Sequence, residues 1–284
     1  MDLKRGFLCR CFDAVGLGDE ANVIAELLLL VAGVLAGMIG GLLGLGGGIV
    51  LMPVLRFHVG LPAPLAAGAC ILGVFCTTLA GSIRHYRLGH VHLRSLRPVI
   101  VSGAIATVLF SLLFVAVARR GRWLDFGMGL VFLAVAIRMI QAGFGKRASR
   151  PGLEPDHNEV RGPIWKKTAI GSAAGALPGL LGIGTGAILV PAFTMVLDAP
   201  MKVAVGSSLA CFMINALVSS AFKWSQGFVD WGVAVPICAG AVIGSTIGAQ
   251  LNQRFPSSSL QVLFGVVFLY VAAKFVLSTW GVNI

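Results

Sequence analysis

Residues 33–55 read GVLAGMIGGLLGLGGGIVLMPVL, and residues 171–193 read GSAAGALPGLLGIGTGAILVPAF. Placed at an offset of 138 without a gap, eleven of the 23 positions are identical. The same offset pairs Gly68 with Gly206, Gly89 with Gly227, Pro98 with Pro236 and Gly127 with Gly265. A gapless register held this far along a chain points to an internal duplication. Both copies are almost wholly apolar, both are interrupted by a cluster of glycines, and both carry a proline (Pro53, Pro191) at the same distance beyond it.

Outward from these stretches the chain stays apolar. Of its 284 residues, 57% are hydrophobic and 12% charged, where a soluble domain carries about 25% charged residues. Mean hydropathy is +0.92. A water-facing surface cannot be built from so little charge, so a soluble enzyme and a disordered tail are both excluded. A span of about 20 apolar residues crosses the hydrocarbon core. Apolar segments read as 22–43, 48–60, 63–83, 97–118 and 123–143, then 165–181, 186–198, 201–222, 231–251 and 258–280. The expected fold is an all-α polytopic, multi-pass membrane protein. It comprises an N-terminal extension 1–21, a first membrane repeat 22–143, a linker 144–164 and a second repeat 165–284. The formal charge of +11 falls mostly in short connections such as Arg84–Arg97 and Lys146–Lys167. That pattern suits anionic headgroups and the positive-inside bias rather than nucleic acid.

Each repeat holds four to five hydrophobic helical segments, and their count decides the relation of the two halves. If 22–43 and 48–60 together cross once, the count is even and the repeats are parallel. If they form a hairpin, the count is odd and the repeats are inverted. The Lys/Arg tally favours the even count. The length of 22–60 and its central glycine run favour a broken or re-entrant hairpin, and inverted repeats are the expectation adopted here.

The candidate site residues follow from that break. Gly44, Gly46, Gly47 and Gly48 in one half face Gly182, Gly184, Thr185 and Gly186 in the other. Glycine allows positive φ and close backbone approach, and free amides in such turns attract anions. Irregular backbone inside a bilayer persists only where protein or a water-filled cavity surrounds it. Two interruptions at equivalent places therefore mark a transport site. The competing reading is close helix packing through small residues, since Gly37–Gly41 and Gly40–Gly44 have GxxxG spacing. Ser207, Ser208 and Asn215 lie near one helical face, and their first-half counterparts are Ala69, Cys70 and Thr77. Arg84, His85, Lys223 and Trp224 close equivalent segments and read as topology anchors, with attraction of an anion at a pore mouth as the alternative. Asp125, Asp198 and Asp230 sit at segment edges, and Glu26 is the acid within a span.

The two glycine segments, together with APMKVAVGSSLACFMINALVSSAFKWSQGFVDW and HYRLGHVHLRSLRP, resemble the sulfite-exporter family (TauE/SafE) over about residues 22–280. The departures are Thr185 opposite Gly47 and Pro178 opposite Gly40. The resemblance implies movement of sulfite, sulfonates or related small sulfur-containing anions across the inner membrane, in either direction. Hydroxyl and amide donors at Thr77, Thr185, Ser207, Ser208 and Asn215 would solvate such an oxyanion between the two turns. A passive small-anion channel is the alternative, and a homo-oligomer is left open.

No cofactor, metal site or catalytic constellation is expected. Cys70, Cys76, Cys211 and Cys238 lie in apolar segments, where Cys behaves as a small hydrophobe. Sulfur transfer at Cys70 or Cys211 is a further alternative. Cys9 and Cys11 read as incidental thiols, and His58, His90 and His92 as surface residues without ligand spacing.

Overall fold

The computed structural model describes residues 19–89, 91, 93–118, 121–144, 162–197, 199–251, 269–275 and 277. The described residues are helical, without strands. The helices are α1 (Asp19–Leu43), α2 (Gly48–Pro53, continued by a π-helical turn Val54–His58), α3 (Ala63–Arg87), α4 (Leu93–Ala118) and α5 (Gly121–Phe144). After the linker come α6 (Ile164–Leu181), α7 (Gly186–Met195), α8 (Met201–Ser225) and α9 (Trp231–Leu251), with a helical segment at 269–275. Most of the extension 1–21 and of the linker, Cys9, Cys11, His90, His92 and most of 258–280 lie outside the described residues.

Five of these helices are long and apolar enough to cross a membrane: Val23–Leu43, Ala63–Arg87, Arg94–Ala116, Lys202–Ser225 and Trp231–Leu251. Their outward faces carry Leu27, Leu28 and Leu35 on α1, Val101, Ile105 and Leu109 on α4, and Val235 and Ile243 on α9, all exposed. In water such a surface would aggregate; lipid is the solvent that accepts it. The exposed Trp224 and Trp231 rings meet edge to face at 5.9 Å, as amphipathic aromatics do at a membrane interface.

Local chemistry sets the breaks. α3 and α8 both open behind a proline, Pro62 and Pro200, held at ψ 142 and 144. Proline fits a helix start because it has no N–H to donate. The ends of α3 and α8 are later than hydropathy suggests, at Arg87 and Ser225, because polar last turns are helical here too. Both bounds of α3 and α8 differ by the same 138 residues that relate the two halves.

Glycine contacts give the direction of each helix. On α1, Gly33, Gly37 and Gly41 lie in turn against Ile237, Ala241 and Ser245 of α9, so these helices run parallel. On α6, Gly171, Gly175 and Gly179 lie against Val99, Gly103 and Thr107 of α4, again parallel. A Cβ on Gly33 or Gly41 would come within 2.5 Å of a carbonyl oxygen of α9, so the small-residue reading of the α1 glycines holds for these positions. α3 runs parallel to α9, with Gly73 at Ile237 and Gly81 at Ser245. α8 runs parallel to α4, with Asn215 at Gly103 and Gln226 at Ser111. α3 and α8 meet head to tail, Gly68 at Phe228 and Gly81 at Leu209.

Two three-helix bundles result. One joins α1 and α3 to α9, the other α6 and α8 to α4, and the antiparallel α3–α8 contact links them. Each bundle takes its fourth-position helix, α9 or α4, from the opposite half of the chain.

Candidate functional site

The two glycine turns lie side by side in the interior. After α1, Gly44, Gly46 and Gly47 have φ of 72°, 76° and 73°, the left-handed region in which side chains are strained. The second turn needs one such residue, Gly182 at φ 68°, and Thr185 at φ −101° is ordinary backbone. This difference explains why threonine can stand where the first turn has Gly47. The turns touch backbone to backbone. A Cβ on Gly48 would lie 2.7 Å from the Gly184 amide nitrogen, and one on Gly186 would clash with the Gly44 carbonyl.

Helices α3 and α8 wall the pair. Gly44 rests on Val205 and Ser208, Gly46 on Phe212 and Thr78, Gly48 on Val74 and Cys70, and Gly182 on Ala67. Ser208 Oγ donates to the Gly44 carbonyl at 2.8 Å, tying α8 to the first turn. Cys70 Sγ donates to the Gly48 carbonyl at 3.4 Å. Thr77 turns its hydroxyl back to Gly73 O at 2.9 Å, and its own carbonyl accepts from Ser245 Oγ at 2.6 Å. Thr77 and Ser208 thus spend their donors on the scaffold.

Several buried polar atoms lack hydrogen-bond partners, Ser111 Oγ, Ser220 Oγ and Gln226 Oε1 among them, and three belong to the donor residues singled out from the sequence. Thr185 Oγ1, Ser207 Oγ and Asn215 Oδ1 are buried and have no hydrogen-bond partner. Thr185 is the N-cap of α7, yet its side chain makes no capping bond. Buried hydroxyls and amides nearly always find partners, so each exception calls for an explanation. Asn215 lies against Gly103 of α4.

Charged groups behave differently from their reading as anchors. Lys223 is 0% exposed and His85 is buried as well. Hydropathy places Lys223 at the end of a span, but α4 and the end of α6 cover it. Asp125, a segment-edge acid in sequence, is buried and receives both Nε and Nη2 of Arg56 at 3.1 and 2.8 Å. Arg56 Nη1 also donates to the Leu61 carbonyl at 3.2 Å. The bridge fastens the π-helical turn after α2 to α5, and the sequence gives no signal for a pairing across 69 positions. Glu26 and His58 are exposed. No group of three metal-ligating side chains occurs among the described residues.

A multi-pass helical membrane protein with an interior built on two apposed glycine turns is the class these features define. The model of the family "Sulfite exporter TauE/SafE" matches residues 29–275, and the chain belongs to that family. It is 30% identical over 253 residues to a "Probable membrane transporter protein" of Xylella fastidiosa, covering 88% of this chain and 94% of that one. A Bacillus subtilis protein of the same description is 24% identical over 270 residues, covering 88% and 96%. One from Methanocaldococcus jannaschii is 26% identical over 256 residues, covering 84% and 91%. No solved structure matches the chain. The protein is a membrane transporter of this family.

Proposed function

We propose that the chain carries small sulfur-containing oxyanions, sulfite or sulfonates, across the cytoplasmic membrane through a site between the two glycine turns. The observation that carries this reading is that Thr185 Oγ1, in the second turn, and Ser207 Oγ, next to the Ser208 that bonds the first turn, are buried hydroxyls without a partner. Hydroxyl and amide groups can donate to an oxyanion without fixing a charge in the bilayer. An arriving anion would accept from the Thr185 and Ser207 hydroxyls and from the Asn215 side-chain N–H, whereas Asn215 Oδ1, itself an acceptor, gains no partner from it. All three belong to the second half, where the first half has Gly47, Ala69 and Thr77. The site is therefore lopsided although the framework is duplicated.

The two halves are read as inverted repeats, supported by the antiparallel meeting of the equivalent helices α3 and α8. Because α4 and α9 are exchanged, the moving bodies are the two bundles rather than the two halves of the chain. Alternating access is then a rocking of α1–α3–α9 against α4–α6–α8 about the α3–α8 contact.

The test is uptake of labelled sulfite into proteoliposomes with sulfate, thiosulfate, sulfoacetate and taurine as competitors. Saturable uptake with counterflow, lost in G184L, is the expected result. Absence of flux for every sulfur anion from folded protein overturns the substrate assignment. Single-channel currents without counterflow overturn alternating access.

A further inference from the structure

One interior charge has no role in the site as drawn so far. Lys223 lies in the last turn of α8, fully enclosed. Its ammonium donates to the carbonyls of Pro178 at 3.2 Å and Gly179 at 3.0 Å, and to Ser219 Oγ at 3.3 Å. The Phe114 ring of α4 stands 4.1 Å away, centroid to nitrogen. Every one of these partners is neutral. The last carbonyls of α6 present the negative end of a helix, which steadies a cation without cancelling it. The ring face adds a further electrostatic attraction.

A buried ammonium ordinarily stands beside a carboxylate, because desolvating a lone charge is costly. Here the one buried acid among the described residues is Asp125, and Arg56 already holds both its oxygens. Lys223 therefore has no counter-ion among the described residues. An ionisable group kept inside a membrane protein is a functional group by default. Its position says which function. Pro178 and Gly179 lead directly into the Gly182–Thr185 turn. The antiparallel register of α3 and α8, Gly68 at Phe228 and Gly81 at Leu209, also brings Lys223 level with Cys70, whose thiol touches Gly48 in the opposite turn. The cation thus sits behind both turns. With three N–H donors and three acceptors in place, it acts on an occupant of the site through its field, not by contact.

We propose that Lys223 is the fixed counter-charge of the anion site, and that it selects monoanions such as alkanesulfonates and hydrogen sulfite over dianions such as sulfate. This inference rests on the transport reading above. One buried positive charge is neutralised by one negative charge, and a dianion would leave a net charge in the interior. In a low-dielectric interior this attraction persists across a turn of helix. Lys223 is a positioning residue whose signature is charge selectivity.

The experiment compares methanesulfonate with sulfate in proteoliposomes of wild-type protein, K223M and K223R. Wild type should carry methanesulfonate saturably, with sulfate a poor substrate. K223M should raise the KM for methanesulfonate by about 10-fold, the loss of a through-space charge–charge attraction, and K223R should restore most of it. Folded K223M with wild-type KM overturns the proposal, as does wild-type protein carrying sulfate as well as methanesulfonate. If K223M does not fold, the wild-type comparison of the two anions decides alone. Wild-type flux of neither anion overturns the transport reading itself, and is told apart by the absence of any saturable uptake to lose.

Discussion

Replacing Thr185 by valine separates the site's two demands, because it should make the protein more stable and less active. The hydroxyl is buried, has no partner, and makes no capping bond to α7. A hydroxyl sealed from water without a hydrogen bond costs about 1–3 kcal/mol by protein mutational data. Valine has the same branched shape, leaves no polar atom to satisfy, and suits the Thr185 backbone at φ −101°. The anion-free protein should therefore gain about 1–3 kcal/mol. At roughly 2–4 °C per kcal/mol for a chain of this size, the unfolding midpoint in detergent should rise by several degrees. Transport should move the other way, since the oxyanion loses a hydroxyl donor worth about 1–1.5 kcal/mol, about a tenfold increase in KM. Thermal unfolding of purified T185V without substrate, paired with sulfite uptake, tests both signs. A T185V protein that is less stable and transports normally would refute the reasoning, because the hydroxyl would then be bonded within the scaffold.

Three further outcomes follow from the geometry. In a background without native cysteines, R87C and S225C at the exposed ends of α3 and α8 should label with an impermeant thiol reagent from opposite sides of the membrane; labelling from one side would refute inversion. R56A should destabilise by about 1–3 kcal/mol by leaving the Asp125 carboxylate buried and unpaired, with D125A much smaller on the R56A background; additive losses in thermal unfolding would show that the bridge is idle. G41L should cost at least about 1–3 kcal/mol through overpacking against Ser245, and an unchanged unfolding midpoint would mean that the α1–α9 seam is not closed.

The all-helical membrane class and the broken segments were legible in sequence, because each is a local property of apolar runs and glycine clusters; the ends of α3 and α8 were not, since their polar last turns are helical as well. The turns were legible for the same reason: Gly44, Gly46 and Gly47 sit where only glycine tolerates the backbone. What the sequence withheld depends on long-range pairing. Ser208 and Thr77 look as available as Ser207 and Asn215 until the partners Gly44 and Gly73 are seen. Lys223 looks like an anchor because hydropathy measures position along a span and not what packs over it. The four-residue glycine spacing in Gly33–Gly37–Gly41 and in Gly240–Gly244–Gly248 was the available signal for the exchanged helices. It shows that a close seam exists and leaves its partner unnamed.

The exchange of α4 and α9 also sets a timetable for biosynthesis. Helix α1 reaches the membrane with its glycine face open, and the helix that closes it is encoded roughly 200 residues later. At about 5–20 residues per second, that face waits roughly 10–40 s for its mate. α6 has no such wait, since α4 is already made when α6 emerges. A ribosome stalled between the halves would leave α1 and α3 without α9, a natural target for membrane quality control. The same dependence means that the two halves, synthesised as separate polypeptides, must find each other to become stable.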